Sequence, residues 1–270
     1  MLWNAKNGEA AVGSTKMSYV SFGWGDRILI LLPGLSDGLT TVKGKALLLA
    51  KSFKLFFEKY TVYMFSRKNN MPEQYSIREM AADQALAMNA LGIGKASVMG
   101  VSQGGMIAQY LAIDYPDLVE KLVLTVTAPC VNDITDKCVR KWVDLAKHGK
   151  HASLMIDTAE NSYSAAYLKK YRKIYPIIGL IGKPSAYNRF LINANAILHF
   201  DASEELHRIN CPTFVIGGEN DKIVGAQASR DLEKYISDSE LYMYPGLGHA
   251  AYEEAADFSR RVFTFLETAK

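Results

Sequence analysis

The chain has 270 residues, 49% of them apolar and 22% charged, with a net charge of +3, proportions ordinary for a soluble globular protein and ample for one domain carrying an insertion. The longest early apolar run, Ile28 to Leu32, is far too short to span a bilayer, and no basic segment followed by an apolar stretch opens the chain, so neither a membrane span nor a signal peptide is expected. Three unclustered cysteines, Cys130, Cys138 and Cys211, lack metal-ligand spacing and suit packing roles in a reducing cytoplasm.

In chain order, Ala10 to Phe22 reads as one or two opening strands and Ile28 to Leu32 as another, followed by a turn at Pro33-Gly34. Gly44 to Tyr60, rich in Leu, Phe and Lys, is predicted helical, and Thr61 to Phe65 is the next strand. Ser76-Ile77-Arg78-Glu79 has capping-box spacing and opens a helix to about Leu91. Ala96 to Met99 suits a buried strand, after which Met106, Ile107, Tyr110, Leu111 and Ile113 recur as one face of a helix. A strand near Leu122 precedes a stretch from about Pro129 to Phe200 in which helical patterns dominate. Pro212 to Ile216 is a strand, Gly225 to Tyr235 a helix, the region of Tyr242 a strand, and a closing helix starts at Glu253. This alternation predicts an α/β fold with a mostly parallel sheet flanked by helices. The expected division is a core of residues 1–128 and 201–270 with a helical insertion at 129–200.

Gly100-Val101-Ser102-Gln103-Gly104 has the form Gly-x-Ser-x-Gly between a strand and a helix. A serine on such a turn stands exposed at the strand end, and the flanking glycines let the backbone close around it. Triads built on that turn follow the order serine, acid, histidine, each later member at the end of a later strand. Asp221 follows the run Pro212 to Gly218, and His249 follows Leu241 to Gly248, so both fit. The other histidines, His148, His151, His199 and His207, lie in helical-looking segments where solvation or packing is the default. Glu219 and Asp201 are the rival acids, and Glu219 reads as support for the turn. After the strand at Leu122 to Val126 no carboxylate occurs before Asp133, which favours Asp221. An oxyanion hole needs backbone N–H groups aimed at the developing charge; Gln103 and Leu35, the latter in the turn after Leu32, are the expected donors.

With these motifs the chain resembles the α/β-hydrolase superfamily over almost its whole length, nearest to small single-domain members with a helical cap. Gly25-Asp26-Arg27, Ala112-Ile113-Asp114-Tyr115-Pro116-Asp117 and Gly217-Gly218-Glu219-Asn220-Asp221-Lys222-Ile223-Val224 support the resemblance. The resemblance implies a cap between strands six and seven. It also marks one departure: relatives usually carry His-Gly at the oxyanion turn, where this chain has Pro33-Gly34, losing a side chain that often braces the loop. Ser102 separates it from epoxide hydrolases and haloalkane dehalogenases, which attack with an aspartate.

The insertion from Pro129 to Phe200 holds eleven Lys and Arg against five Asp and Glu, a net +6 in a chain of +3. A solvated helix face is the plain reading and attraction of an anionic substrate the sharper one. Tyr163, Tyr167, Tyr171 and Tyr175 recur every fourth residue, as a face packed on the body, a homodimer contact or a pocket wall. Asn193 and Asn195 are weaker pocket candidates. Hydrolysis of small-molecule carboxylic esters or related acyl compounds through an acyl-enzyme ranks first. Carbon–carbon hydrolysis of a dienoic keto acid, a menaquinone-pathway-type lyase, cofactor-free haloperoxidase-like chemistry and a non-catalytic ligand-binding role follow. No metal, organic cofactor or nucleic-acid partner is expected.

Overall fold

The computed structural model describes residues 2–178 and 183–268. Its strands are β1 (Lys6–Val12), β2 (Thr15–Gly23), β3 (Arg27–Leu32), β4 (Tyr60–Lys68), β5 (Ala96–Val101), β6 (Val119–Thr125), β7 (Thr213–Gly218) and β8 (Ser239–Tyr244). They form one sheet in the order β1-β2-β4-β3-β5-β6-β7-β8, with β1 and β2 antiparallel and every pairing from β4 to β8 parallel.

Side chains alternate across each strand, and this alternation divides the core into two apolar layers. Ile30, Leu32, Val98, Leu122, Leu124 and Val215 enter one layer. Leu29, Leu31, Met99, Val123, Phe214 and Ile216 enter the other. Strands buried on both faces read as continuous apolar runs, which is why Ile28 to Leu32 looks uninterrupted in the sequence.

Helices α2 (Ile77–Ala90), α3 (Gln103–Asp114) and α9 (Ala226–Tyr235) cover the first layer, and α1 (Ala46–Ala50) and α11 (Phe258–Glu267) the second. Ser76 caps α2: its side chain accepts from the Glu79 N–H while Glu79 reaches back to the Ser76 N–H at 2.8 Å. The expected single apolar face on α3 is corrected: every residue from Gln103 to Ile113 is buried. A helix enclosed on all sides shows no polar stripe.

Two further expectations change. Gly44 to Tyr60 is not one helix, because α1 gives way to a 3-10 turn over Lys51–Phe56 with Phe53 at φ −113° and ψ 15°. Phe53 breaks helical geometry there and stacks on Phe22 with ring centroids 5.7 Å apart, and Phe57 meets the same ring at 5.7 Å. The closing helix is also divided, into α10 (Ala251–Glu254) and α11.

Between β6 and β7 run α4 (Asp133–Lys147), α5 (His151–Ser162), α6 (Ala165–Tyr171), α7 (Tyr175–Ile178) and α8 (Asn188–Leu198). Val139 and Trp142 of α4 and Phe190 of α8 join the first apolar layer, so this segment packs onto the sheet's helices. No helix among the described residues is long and apolar enough to cross a membrane.

Candidate active site

Across the sheet Leu32, Gly100, Leu124, Val215 and Leu241 stand in register. The chain leaves β5, β7 and β8 just beyond that line, so Ser102, Asp221 and His249 all emerge at one edge, the carboxyl ends of parallel strands where open α/β sheets place their ligands.

Ser102 lies between β5 and α3 with φ 53° and ψ −120°, a conformation that a residue with a β-carbon resists. Hydrogen bonds hold it there. Its N–H donates to the Thr125 carbonyl at 2.9 Å, and its carbonyl accepts from the Gly105 N–H at 2.8 Å and from Thr127 Oγ1 at 2.8 Å. The glycines are required by space: a β-carbon at Gly100 would lie 2.3 Å from the Gly104 carbonyl oxygen, and one at Gly104 1.9 Å from that of Leu32. The motif's glycines therefore let β3, β5 and α3 approach one another beneath the serine.

Gly34 faces Ser102, since a β-carbon there would stand 3.3 Å from Ser102 Cβ. Leu35 opens a 3-10 turn over Leu35–Gly38 and Gln103 opens α3. The first N–H groups of a helical turn have no partner within it, so both expected donors are orphans of the kind that take anions.

Asp221 and His249 meet. His249 Nδ1 lies 2.8 Å from Asp221 Oδ2, and the amides of Ile223 and Val224 donate to Oδ1 at 2.8 and 3.0 Å. Burial alone would raise the Asp221 carboxyl, yet the His249 imidazole and the two amides hold it below the ordinary carboxylate value. Ser102 Oγ and His249 make no direct hydrogen bond among the described residues. The rival acids are engaged elsewhere: Glu219 pairs with Arg230 at 2.7 Å, and Asp201 Oδ1 accepts from the Ser203 N–H at 3.0 Å.

A cavity of about 410 Å³ opens beside His249 and Ser36, and Tyr163, Tyr167, Tyr171 and Tyr175 line it. Their spacing of four does not come from one helix: Tyr163 follows α5, Tyr167 and Tyr171 lie in α6, and Tyr175 starts α7. The first three rings form a ladder with centroids 4.3 Å apart at each step, and the Tyr163 hydroxyl donates to Glu253 at 2.6 Å. Asn193 and Asn195 lie away from this cavity. Asn193 is fully buried, its carbonyl accepting from Gln103 Nε2 at 2.7 Å, and Asn195 borders a separate surface groove.

Sequence reasoning missed the polar cluster beneath the turn at Pro33. Asp37 Oδ2 accepts from the Arg67 N–H at 2.9 Å and from Arg189 Nη2 at 2.7 Å. Arg67 is wholly buried, and nothing in an Arg-Lys pair ending a strand signals that. Among the described residues Cys130 and Cys138 form no disulfide, and burial pushes the Cys138 thiol up to about 12.

Residues 74–256 match the family model described as serine aminopeptidase, S33. A protein of Shigella flexneri described as "Putative carbamate hydrolase RutD" is 28% identical over 188 residues, covering 67% of this chain and 69% of its own. An α/β hydrolase enzyme from a Medee basin deep-sea metagenome library superposes with a TM-score of 0.84 at 18% identity, over 97% of this chain and 98% of that one. The enol-lactonase of Burkholderia xenovorans LB400 does so with a TM-score of 0.80 at 21% identity, over 97% and 100%. At such identities the structural likeness concerns the fold alone.

Proposed function

The chain belongs to the serine aminopeptidase S33 family, within the α/β-hydrolases, and from that premise we propose that it hydrolyses small-molecule carboxylic esters or related acyl compounds through a serine acyl-enzyme. The observation that carries this reading is the Asp221–His249 hydrogen bond at the strand edge from which Ser102 projects. With Nδ1 held by Asp221, the imidazole keeps Nε2 for the nucleophile. Ser102 Oγ bonds to the acyl carbon as its proton passes to His249. The Leu35 and Gln103 amides hold the oxyanion. The bond to the leaving group then breaks, the leaving group takes the proton, and water repeats the sequence on the acyl-enzyme.

Carbamates and lactones, named in the descriptions of two of the similar proteins, share with carboxylic esters a carbonyl bearing a heteroatom leaving group. The proposed chemistry serves all three. Segment 129–200 acts as the cap, supplying the tyrosine wall of the cavity. That wall favours an uncharged substrate. Among the described residues lining the cavity no Lys or Arg occurs, and Glu253 stands at its side. An anionic keto acid would lack a cationic partner there, which sets carbon–carbon hydrolysis behind ester or carbamate hydrolysis.

A panel of p-nitrophenyl esters of increasing chain length, aryl carbamates, lactones and a dienoic keto acid tests the reading. Turnover of at least one of the first three that disappears in Ser102→Ala is expected. Turnover of the keto acid alone, or turnover surviving in Ser102→Ala, would overturn it.

A further inference from the structure

The turn that supplies the Leu35 amide lacks the histidine usual in relatives, and Pro33 offers no side-chain donor in its place. Its carbonyl is nevertheless held. Arg67 Nη2 donates to the Pro33 oxygen at 2.7 Å and to Gln103 Oε1 at 3.1 Å. One nitrogen with two hydrogens thus joins the loop carrying one oxyanion donor to the residue carrying the other. The surrounding contacts fix the segments it joins: the Arg67 backbone N–H is anchored on Asp37, Asp37 is paired with Arg189, and Gln103 Nε2 is held by the Asn193 backbone carbonyl of α8. The Pro33 and Gly104 backbones are already in close approach, so little slack remains between the two segments.

We infer that Arg67 is a positioning residue that sets the separation of the Leu35 and Gln103 amides, taking over the brace that the Pro33-Gly34 turn lacks. The inference rests on the serine-hydrolase reading above. Arginine suits the task because its planar fork directs hydrogens at fixed angles, whereas a lysine ammonium is a point charge on a flexible stem. Burying a guanidinium is costly, and this one keeps Nε and Nη1 without hydrogen-bond partners among the described residues, with the Asp37 carboxylate nearby as its counter-charge, so the two bonds made by Nη2 are its only direct tethers. Arg67 touches no substrate. Its effect therefore falls on the transition state, where charge develops on the acyl oxygen, and leaves ground-state binding alone.

Arg67→Met and Arg67→Lys, measured by steady-state kinetics on the best ester and by inhibition with a trifluoromethyl ketone, test this. That ketone adds to the serine and carries the oxyanion. A displacement of about 1 Å at a catalytic group can reduce turnover on the order of 10²-fold. The expected result is kcat down about 10- to 100-fold with KM within about twofold, and the ketone's inhibition constant up by a similar factor. Arg67→Lys should recover part of the loss. Folded variants with kcat within about twofold of wild type, or a loss confined to KM, would overturn the inference. Should Arg67→Met fail to fold, Gln103→Met decides, since it removes the Oε1 acceptor and keeps the backbone N–H. The same split between kcat and KM supports the brace, and wild-type kinetics overturn it. Ser102→Ala on the same ester keeps the two readings apart: residual turnover there would defeat the serine mechanism, not the role of Arg67.

Discussion

The Ser102 backbone is held in a strained conformation by bonds with Thr125, Gly105 and Thr127, and the Asp221 carboxylate is held by two amides and an imidazole. Asp221→Asn preserves this packing but reverses the favoured imidazole tautomer, and turnover should fall on the order of 10⁴-fold. Glu219→Gln should change it by less than about twofold, because that carboxylate faces Arg230 at the surface. Swapped phenotypes would move the acid to Glu219. Asp221 also carries a pH dependence. Its carboxyl lies below the ordinary value in the folded chain, so the stability it contributes is present above the unfolded value, about 3.9, and is lost as pH falls through the folded one. Urea denaturation should therefore separate wild type from Asp221→Asn at pH 7 and bring them together in acid; a constant difference would remove the linkage. At this scale the strand-edge positions of Ser102, Asp221 and His249 were legible because strand ends and glycine turns mark them. Arg67, Asp37 and Thr127 were not, since their partners lie 30 or so positions away in the chain and only the folded sheet brings them together.

At the scale of elements, local signals carried where the chemistry is local. The Ser76–Glu79 box was readable because both partners sit within four residues, and it caps α2 as read. Ser76→Ala should lower unfolding free energy by about 1 kcal/mol in urea titration. An unchanged midpoint would mean that packing alone holds the first turn of α2. Glu79 adds the same sign of pH dependence as Asp221, because the Ser76 backbone and hydroxyl hold its carboxyl below the usual value. Gly44 to Tyr60 was misread because its Leu and Lys content favours helix while the aromatic cluster around Phe22 rewards tighter turns; tertiary packing overrides propensity there. The tyrosine spacing misled in the opposite way. A regular step of four arises from α6 and the flanking ends of α5 and α7, so periodicity alone could not place the pocket wall.

For the whole molecule, the α/β alternation was legible because strands buried on both faces and amphipathic crossovers write different periods into the chain. The disposition of charge was not, because composition counts charges without pairing them. Arg140 pairs with Asp136, Lys141 with Asp157, Arg172 with Glu160 and Arg189 with Asp37. Lys169, Lys170 and Lys173 stand exposed on the segment's surface. Reversing those three lysines to glutamate should leave kcat/KM for a neutral ester within about twofold, as the fields of exposed charges are screened over about 8 Å at physiological salt. A tenfold change would restore substrate steering by the segment. The most direct test of the central claim is the site of covalent capture: the protein is treated with a fluorophosphonate, weighed intact and mapped by peptide mass. One adduct per chain, on Ser102, lost in Ser102→Ala and strongly slowed in His249→Ala, is the predicted result; an adduct on any other residue, or none in a protein that still turns over its ester, would contradict it.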